Sequence, residues 1–308
     1  MSSDDKKNTG TVVTTIPEPE GHRSVSPMPA QAELEAFYRD TYFQSVPTSA
    51  YSHSYTDEEL AQRRVRAAML IHAASGHRDR TKSGTGPARL FDIGFGEGFE
   101  LEAARAAGMQ VSGIDYTLDA LRRFHPALES RVRVGDPLSA LASIAGSAER
   151  YDVVVLRNVL EHVRDPRGLL KAAASVAQPG GVIAITVPND FSDLQADLQA
   201  RGFVNEEYWV APPQHLQYFR TDRFGAFAQA CGLQMVDLIG DFPIEVFLYH
   251  PASNYVREPS VGKAAHHARV MLDLLCARHG LERFTAFCRA SAAVGLARAF
   301  TAFLVHPH

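Results

Sequence analysis

The sequence predicts an α/β protein built on a doubly wound parallel sheet, and three observations carry that expectation. Apolar, strand-forming runs alternate with helical segments through residues 81–240. One of these runs, Tyr151 to Leu156, is almost continuously apolar, as a parallel strand buried on both faces requires. The acidic, glycine and histidine residues that stand out in this region fall where strands end and helices begin, which is the edge at which such sheets bind ligands.

Composition bounds what this fold can serve. The chain has 308 residues with 45% hydrophobic content, enough for one large domain with additions or two small ones. Its net charge of −4, with no long basic run, argues against nucleic acid as a partner. No apolar run reaches the roughly 20 residues of a membrane helix. The opening Met-Ser-Ser-Asp-Asp-Lys-Lys lacks the apolar core of a secretory signal, so a cytoplasmic protein with no membrane partner is expected. Cys231, Cys276 and Cys288 show no metal-ligand spacing and are expected to be reduced and packed.

Residues 1–30 are rich in Ser, Thr, Pro and charge, and are expected to form a disordered tail because they bury too little to offset the entropy of ordering. Residues 31–80 read as a helical cap. Leu34, Phe37 and Tyr38 lie at helical spacing, and a second helix begins at Thr56, where Glu59 completes a capping box. Ala61, Val65, Ala68 and Met69 are its expected apolar stripe. Between the helices, Tyr51 and Tyr55 bracket a polar aromatic loop that either lines a substrate pocket or lies on the surface. Residues 75–88 read as a linker.

The central region opens with Arg89 to Phe99. Leu90, Phe91 and Ile93 form a strand, and Gly94, Gly96 and Gly98 follow at alternate positions before a helix. Glycine there tolerates positive φ and admits close approach of a ligand, while the N–H groups of the helix start attract polar or anionic atoms. A dinucleotide fingerprint needs glycine at the first, third and sixth positions. The sixth here is Phe99, and an acid, Asp92, precedes the first glycine. The second strand ends at Asp115-Tyr116, and the interval from Asp92 is close to the ~20 residues after which an acid accepts ribose hydroxyls. Capping of the next helix is the alternative for Asp115.

The third strand, Arg131 to Val134, leads to Asp136, and the fourth runs into Arg157-Asn158-Val-Leu-Glu-His162 before an Asp165-Pro166 helix cap. The fifth, Val182 to Val187, stops at Pro188-Asn189-Asp190. A polar helical excursion is expected from Phe191 to Trp209. A proline-bearing loop with His215 and Tyr218 follows, then a helix capped by Thr221 and a sixth strand, Gln234 to Ile239.

The order Asp92, Gly94, Gly96, Gly98, Asp115, together with Asn-Val-Leu-Glu-His162 after the fourth strand, resembles the class I S-adenosylmethionine-dependent methyltransferases, particularly their small-molecule branch. The resemblance covers residues 88–240 well and the ends loosely. It implies a seven-stranded Rossmann-like sheet whose last strand, within residues 293–308, is antiparallel, leaving residues 241–292 as a helical insertion. It also implies S-adenosyl-L-methionine as cofactor, with Asp92, Gly94, Gly96, Gly98, Asp115, Tyr116, Asp136 and Asn158 around it. Asp136 is expected near the adenine amino group.

The implied reaction is methyl transfer to a hydroxyl or amine of a polar small molecule, such as a sugar or natural-product intermediate. The insertion reads as a substrate lid, with a homodimer interface or surface decoration as alternatives. Its helix carries an apolar stripe of Ala264, Ala268, Met271 and Leu275, off which lie His266 and Arg269. Asn189, Trp209, Tyr218, Glu245 and His266 join Tyr51 and Tyr55 as candidate substrate-binding residues. His215 is the candidate general base, since imidazole titrates near neutral pH, and His162 is its rival; an amine acceptor needs no base. No metal is expected, because the insertion shows no acidic cluster. Two other classes remain: an NAD(P)-dependent oxidoreductase or epimerase, which lacks its third glycine here, and a cofactor-binding protein without activity.

Overall fold

The structure, a computed structural model, describes residues 13–37, 54–79 and 86–307. Its centre is a seven-stranded sheet in the order β5-β4-β3-β6-β7-β10-β9. The strands are β3 (Arg89–Ile93), β4 (Gln110–Asp115), β5 (Val132–Val134), β6 (Tyr151–Arg157), β7 (Ala177–Pro188), β9 (Gln234–Gly240) and β10 (Ala299–Val305). Pairing is parallel from β5 through β7, while β10 runs antiparallel to both β7 and β9. This is the seven-stranded Rossmann-like sheet that the resemblance implies.

Alternation along β6 shows why the sheet is covered twice. Val154 and Leu156 pack with Leu141 of α5 (Pro137–Ala145), Leu170 of α6 (Pro166–Val176) and Phe227 of α8 (Phe224–Ala230). Val153 and Val155 point to the other face. There they meet Leu70 of α2 (Asp57–His77), Leu101 of α3 (Phe99–Ala106), Leu121 of α4 (Asp119–Phe124) and Phe284 of α10 (Leu281–Ala293). A strand with side chains of period two and helices on both sides has no polar face to offer, hence its unbroken apolar sequence.

The N-terminal segment corrects one expectation. Residues 14–26, read as part of a disordered tail, form a hairpin of β1 (Thr14–Pro17) and β2 (Arg23–Ser26). The strand β2 pairs with β8 (Gln217–Tyr218) to make a second, three-stranded sheet. Val25 is buried with Leu34 of the short helix α1 (Gln31–Phe37) and Leu216, and His22 stacks on Phe219 at 5.5 Å. Local composition hides such order because the partner strand lies far along the chain.

Helix periodicity was also outweighed by tertiary packing. On α2 the capping box of Thr56 and Glu59 is present, yet the buried side chains are Gln62, Ala67, Met69, Leu70, Ile71, Ala73 and Ala74; of the expected stripe only Met69 is among them. Residues 241–298 separate β9 from β10 and contain short 3-10 turns, α9 (Gly262–Ala277) and α10. On α9 the expected stripe points outward: Met271 is 43% and Leu275 50% exposed, while Ala265, Val270 and Asp273 are buried. Between the two faces, His266 and Arg269 of this helix wall a cavity. The excursion after β7 is helical only over α7 (Asp193–Ala200), and α8 begins after Arg223 rather than at Thr221.

Candidate active site

The turn after β3 has Gly94, Gly96 and Gly98 at φ 73°, 50° and 82°, all in the left-handed region that favours glycine. A Cβ on Gly98 would come within 2.4 Å of Leu121 Cδ1, so α4 also packs against this turn. The Gly96 N–H donates to Asp115 Oδ2 at 2.8 Å, and Asp115 Oδ1 accepts from the N–H of Tyr116 at 2.6 Å. The ends of β3 and β4 are thereby fixed to one another, with Asp115 partly exposed beside them.

Against this turn lies a cavity of about 240 Å³, walled by Asp92, Gly94, Gly96, Glu100, Arg157 and Asn158 among others. Asp92 is 1% exposed, and its Oδ2 is buried without a hydrogen-bond partner. Burial first, then the Glu100 and Asp115 carboxylates, push its carboxyl well above the usual carboxylate range. Arg157 Nη1 contacts Glu100 Oε1 at 2.7 Å. A buried carboxylate oxygen with no donor is costly unless a cationic or N–H-bearing ligand supplies one. An amino-acid ammonium fits that need, and the methionine end of S-adenosyl-L-methionine carries one.

Asn158 adopts φ 55° at the end of β6, a conformation Asn tolerates, with its N–H donating to Thr186 O at 2.9 Å. Tyr116 is exposed, and its hydroxyl donates to Asp136 Oδ1 at 3.1 Å. Asp136 also caps α5 by accepting from Ser139 N–H at 2.7 Å. These two, like Gly98 and Asp115, are not among the walls of the cavity.

A second cavity of about 360 Å³ shares Arg63, Glu100, Arg157 and Asn158 with the first. It is closed by α2, α9 and the ends of β7, β9 and β10, and its walls include Tyr55, Glu59, His266 and Arg269. The Tyr55 hydroxyl donates to Glu97, and the Arg63 guanidinium lies 4.0 Å from the centre of the Tyr55 ring. Tyr51 lies outside the described residues.

The remaining candidates for substrate contact need correction. Asn189 is buried, donates to the carbonyls of Gly295 and Ala297, and accepts from Thr221 N–H, so its side chain ties β7 to the return of the chain. Tyr218 is buried and its hydroxyl donates to His215 O at 2.9 Å. Trp209 packs edge-on against Phe191, with ring centres 5.5 Å apart. Glu245 is buried behind the second cavity, accepting from Gln195 and Tyr208 and lying 3.3 Å from Arg298 Nε. None of the four lines either cavity.

The two histidines proposed as rivals are neighbours. Both line the first cavity, with ring centres 5.1 Å apart. His162 Nδ1 meets Gln214 O at 2.7 Å; a carbonyl only accepts, so Nδ1 carries the proton and Nε2 the lone pair. Burial lowers the pKa of His162. Burial, then His162 and Arg298, push His215 down to about 3, which corrects the expectation that it titrates near neutrality. Next to them is Glu161, fully buried, with both carboxyl oxygens unpartnered and its pKa pushed up to about 8 by burial.

Glu161, His162 and His215 bring ligand atoms within 4.8 Å of one another, a set that could hold a metal ion. The expectation of no metal rests on the insertion alone, whereas Glu161 stands outside it, inside the Asn-Val-Leu-Glu-His that follows the fourth strand. Arg63, Glu100 and Arg157 carry no signal beyond their positions near strand ends and helix starts.

A doubly wound sheet with a glycine-rich turn, an acid at the next strand end and a polar cavity beside them defines an enzyme of the Rossmann-like, adenosyl-cofactor class. The chain belongs to the methyltransferase-domain family, whose model matches residues 58–238. It is similar to the ubiquinone biosynthesis O-methyltransferase of Burkholderia thailandensis, at 32% identity over 53% of this chain and 69% of that protein. The protein of the same description from Stutzerimonas stutzeri is 32% identical over 49% of this chain and 67% of its own length. Among solved structures, a SAM-dependent methyltransferase from Archaeoglobus fulgidus aligns with 81% of this chain and 94% of its own at 16% identity and a TM-score of 0.48. The chain is an S-adenosylmethionine-dependent methyltransferase, and S-adenosyl-L-methionine is its cofactor. Among the described residues no helix is long and apolar enough to cross a membrane.

Proposed function

We propose that the enzyme methylates a hydroxyl of a polar small molecule, such as a sugar or natural-product intermediate, held in the larger cavity. The observation that carries this reading is that the two cavities share Arg63, Glu100, Arg157 and Asn158, so a cofactor beside the glycine turn adjoins an acceptor under α9. The O-methyltransferase descriptions of the curated relatives support a hydroxyl over an amine. The oxidoreductase reading is not favoured, since Phe99 occupies the third glycine position of a dinucleotide turn. Cys231, Cys276 and Cys288 are free, in keeping with a cytoplasmic setting.

When bound, the cofactor supplies a sulfonium methyl group to a nucleophile in line with the methyl–sulfur bond. In this reading Asp92 takes the ammonium and Asp115 the ribose hydroxyls, with Tyr116 and Asp136 at the adenine end. Asn158 and the Arg157–Glu100 pair separate the two cavities and orient the groups that meet there. His162 Nε2 accepts the hydroxyl proton, at a position 3.8 Å from the Glu161 carboxyl. A group pushed down to about 3 is a weak base, so His215 serves as a neutral hydrogen-bond partner instead.

The test is turnover of labelled cofactor with matched sets of hydroxylated and aminated small molecules. Methyl transfer to oxygen supports the proposal, and transfer confined to amines contradicts it.

A further inference from the structure

The walls of the larger cavity hold several arginines, and all but one have close carboxylate partners. Arg66 pairs with Asp273 at 2.8 Å, Arg157 with Glu100 at 2.7 Å and Arg63 with Glu97 at 2.9 Å. Arg298 Nη1 meets Asp190 at 2.8 Å. Arg269 differs. Its nearest carboxylate oxygen, Asp241 Oδ2, is 4.0 Å from Nη1, beyond hydrogen-bond reach, while Oδ1 of the same group accepts from Ala299 N–H at 2.8 Å. Its Nε is buried with no partner.

Of the Arg269 nitrogens, Nη2 is the one committed to a close neighbour. Nη2 lies 2.7 Å from His266 Nδ1, and a guanidinium can only donate, so Nδ1 presents its lone pair. His266 is therefore neutral, with Nε2–H donating to Glu59 Oε1 at 3.0 Å. Burial and Arg269 both lower the pKa of His266, in agreement with that tautomer. A neutral imidazole does not offset the charge; it holds the guanidinium in place. Arg269 stays 25% exposed and lines the cavity, leaving Nη1 for a ligand.

We infer that Arg269, braced by His266, binds a carboxylate on the methyl acceptor, so the substrates are small organic acids. This rests on the proposed methylation of a small molecule in that cavity. A guanidinium lacking a close counter-ion in a confined site is satisfied by a planar carboxylate with which it forms charge-assisted hydrogen bonds. The volume of about 360 Å³ compares with ~150 Å³ for a cavity that takes benzene. An acceptor of one or two rings is the right size.

The experiment uses the full chain saturated with S-adenosylhomocysteine and a panel of hydroxylated aromatic acids, each paired with its carboxamide of the same shape. Affinities are measured by calorimetry for the parent, Arg269→Gln and Arg269→Lys. Acids are expected to bind at least about tenfold tighter than their amides, the scale of a hydrogen bond to a charged group. That preference should vanish in Arg269→Gln and partly survive in Arg269→Lys, with S-adenosylhomocysteine affinity unchanged in both as the check on folding. Equal binding of acids and amides, no binding by any acid, or a preference that survives Arg269→Gln overturns the inference. Failure of S-adenosylhomocysteine to bind the parent would instead count against the cofactor site itself.

Discussion

Arg66 on α2 grips Asp273 on α9 through two contacts, Nε to Oδ2 and Nη2 to Oδ1, each 2.8 Å long. Gln62 adds a third at 2.7 Å, and the Asp273 side chain is 1% exposed. The insertion is thus keyed to the N-terminal helix by a buried ion pair, and the roof of the larger cavity depends on it. Arg66→Ala strands a buried carboxylate and should cost about 3–5 kcal/mol, whereas Arg66→Met with Asp273→Leu should cost much less. Denaturant midpoints check this; equal losses in the single and double variants would refute it.

Stability should depend on pH in two opposed ways. Glu161 has its pKa raised by burial from 4.5 to about 8, so the folded chain keeps a proton that the unfolded chain loses. Its contribution is full below 4.5 and declines as pH rises to about 8. His215 has its pKa lowered from 6.5 to about 3, so its contribution is present above 6.5 and declines as pH falls toward 3. Glu161→Gln should flatten the alkaline decline and His215→Gln the acid one, as read from urea midpoints across this range. Unchanged slopes in the variants would remove these groups from the account.

Turnover should separate the two histidines. His162→Gln is expected to lose about 100-fold or more in kcat, the usual scale for a general base, with cofactor affinity intact. His215→Gln should lose less, and its removal should not shift the pH profile near neutrality. A larger loss in His215→Gln would return the base to that residue, and full activity in both would favour an amine acceptor.

What the sequence made legible was local. The strand–glycine–helix turn, the capping box of Thr56 and Glu59 and the apolar run of β6 each depend on neighbours within a few residues, and each is present. What it concealed depends on distant partners. The hairpin of β1 and β2 needs β8. The outward turn of Met271 and Leu275 reflects a cavity that only the folded chain creates, and this also explains why Arg269 and His266 lie off the apolar stripe. Asn189 looked like a strand-end ligand-binding residue, but its amide is consumed by carbonyls more than a hundred positions away.

Calorimetric titration with S-adenosylhomocysteine decides whether the glycine turn and Asp92 hold S-adenosyl-L-methionine. The parent should bind. Gly96→Val forces a branched residue into φ 50° where backbone meets ligand and should abolish binding. Asp92→Ala removes the buried carboxylate whose Oδ2 has no hydrogen-bond partner, the group proposed to take the ammonium, and should weaken binding by about 1.5–3 kcal/mol. Parent-like affinity in both variants, each shown to be folded by circular dichroism, would contradict the account.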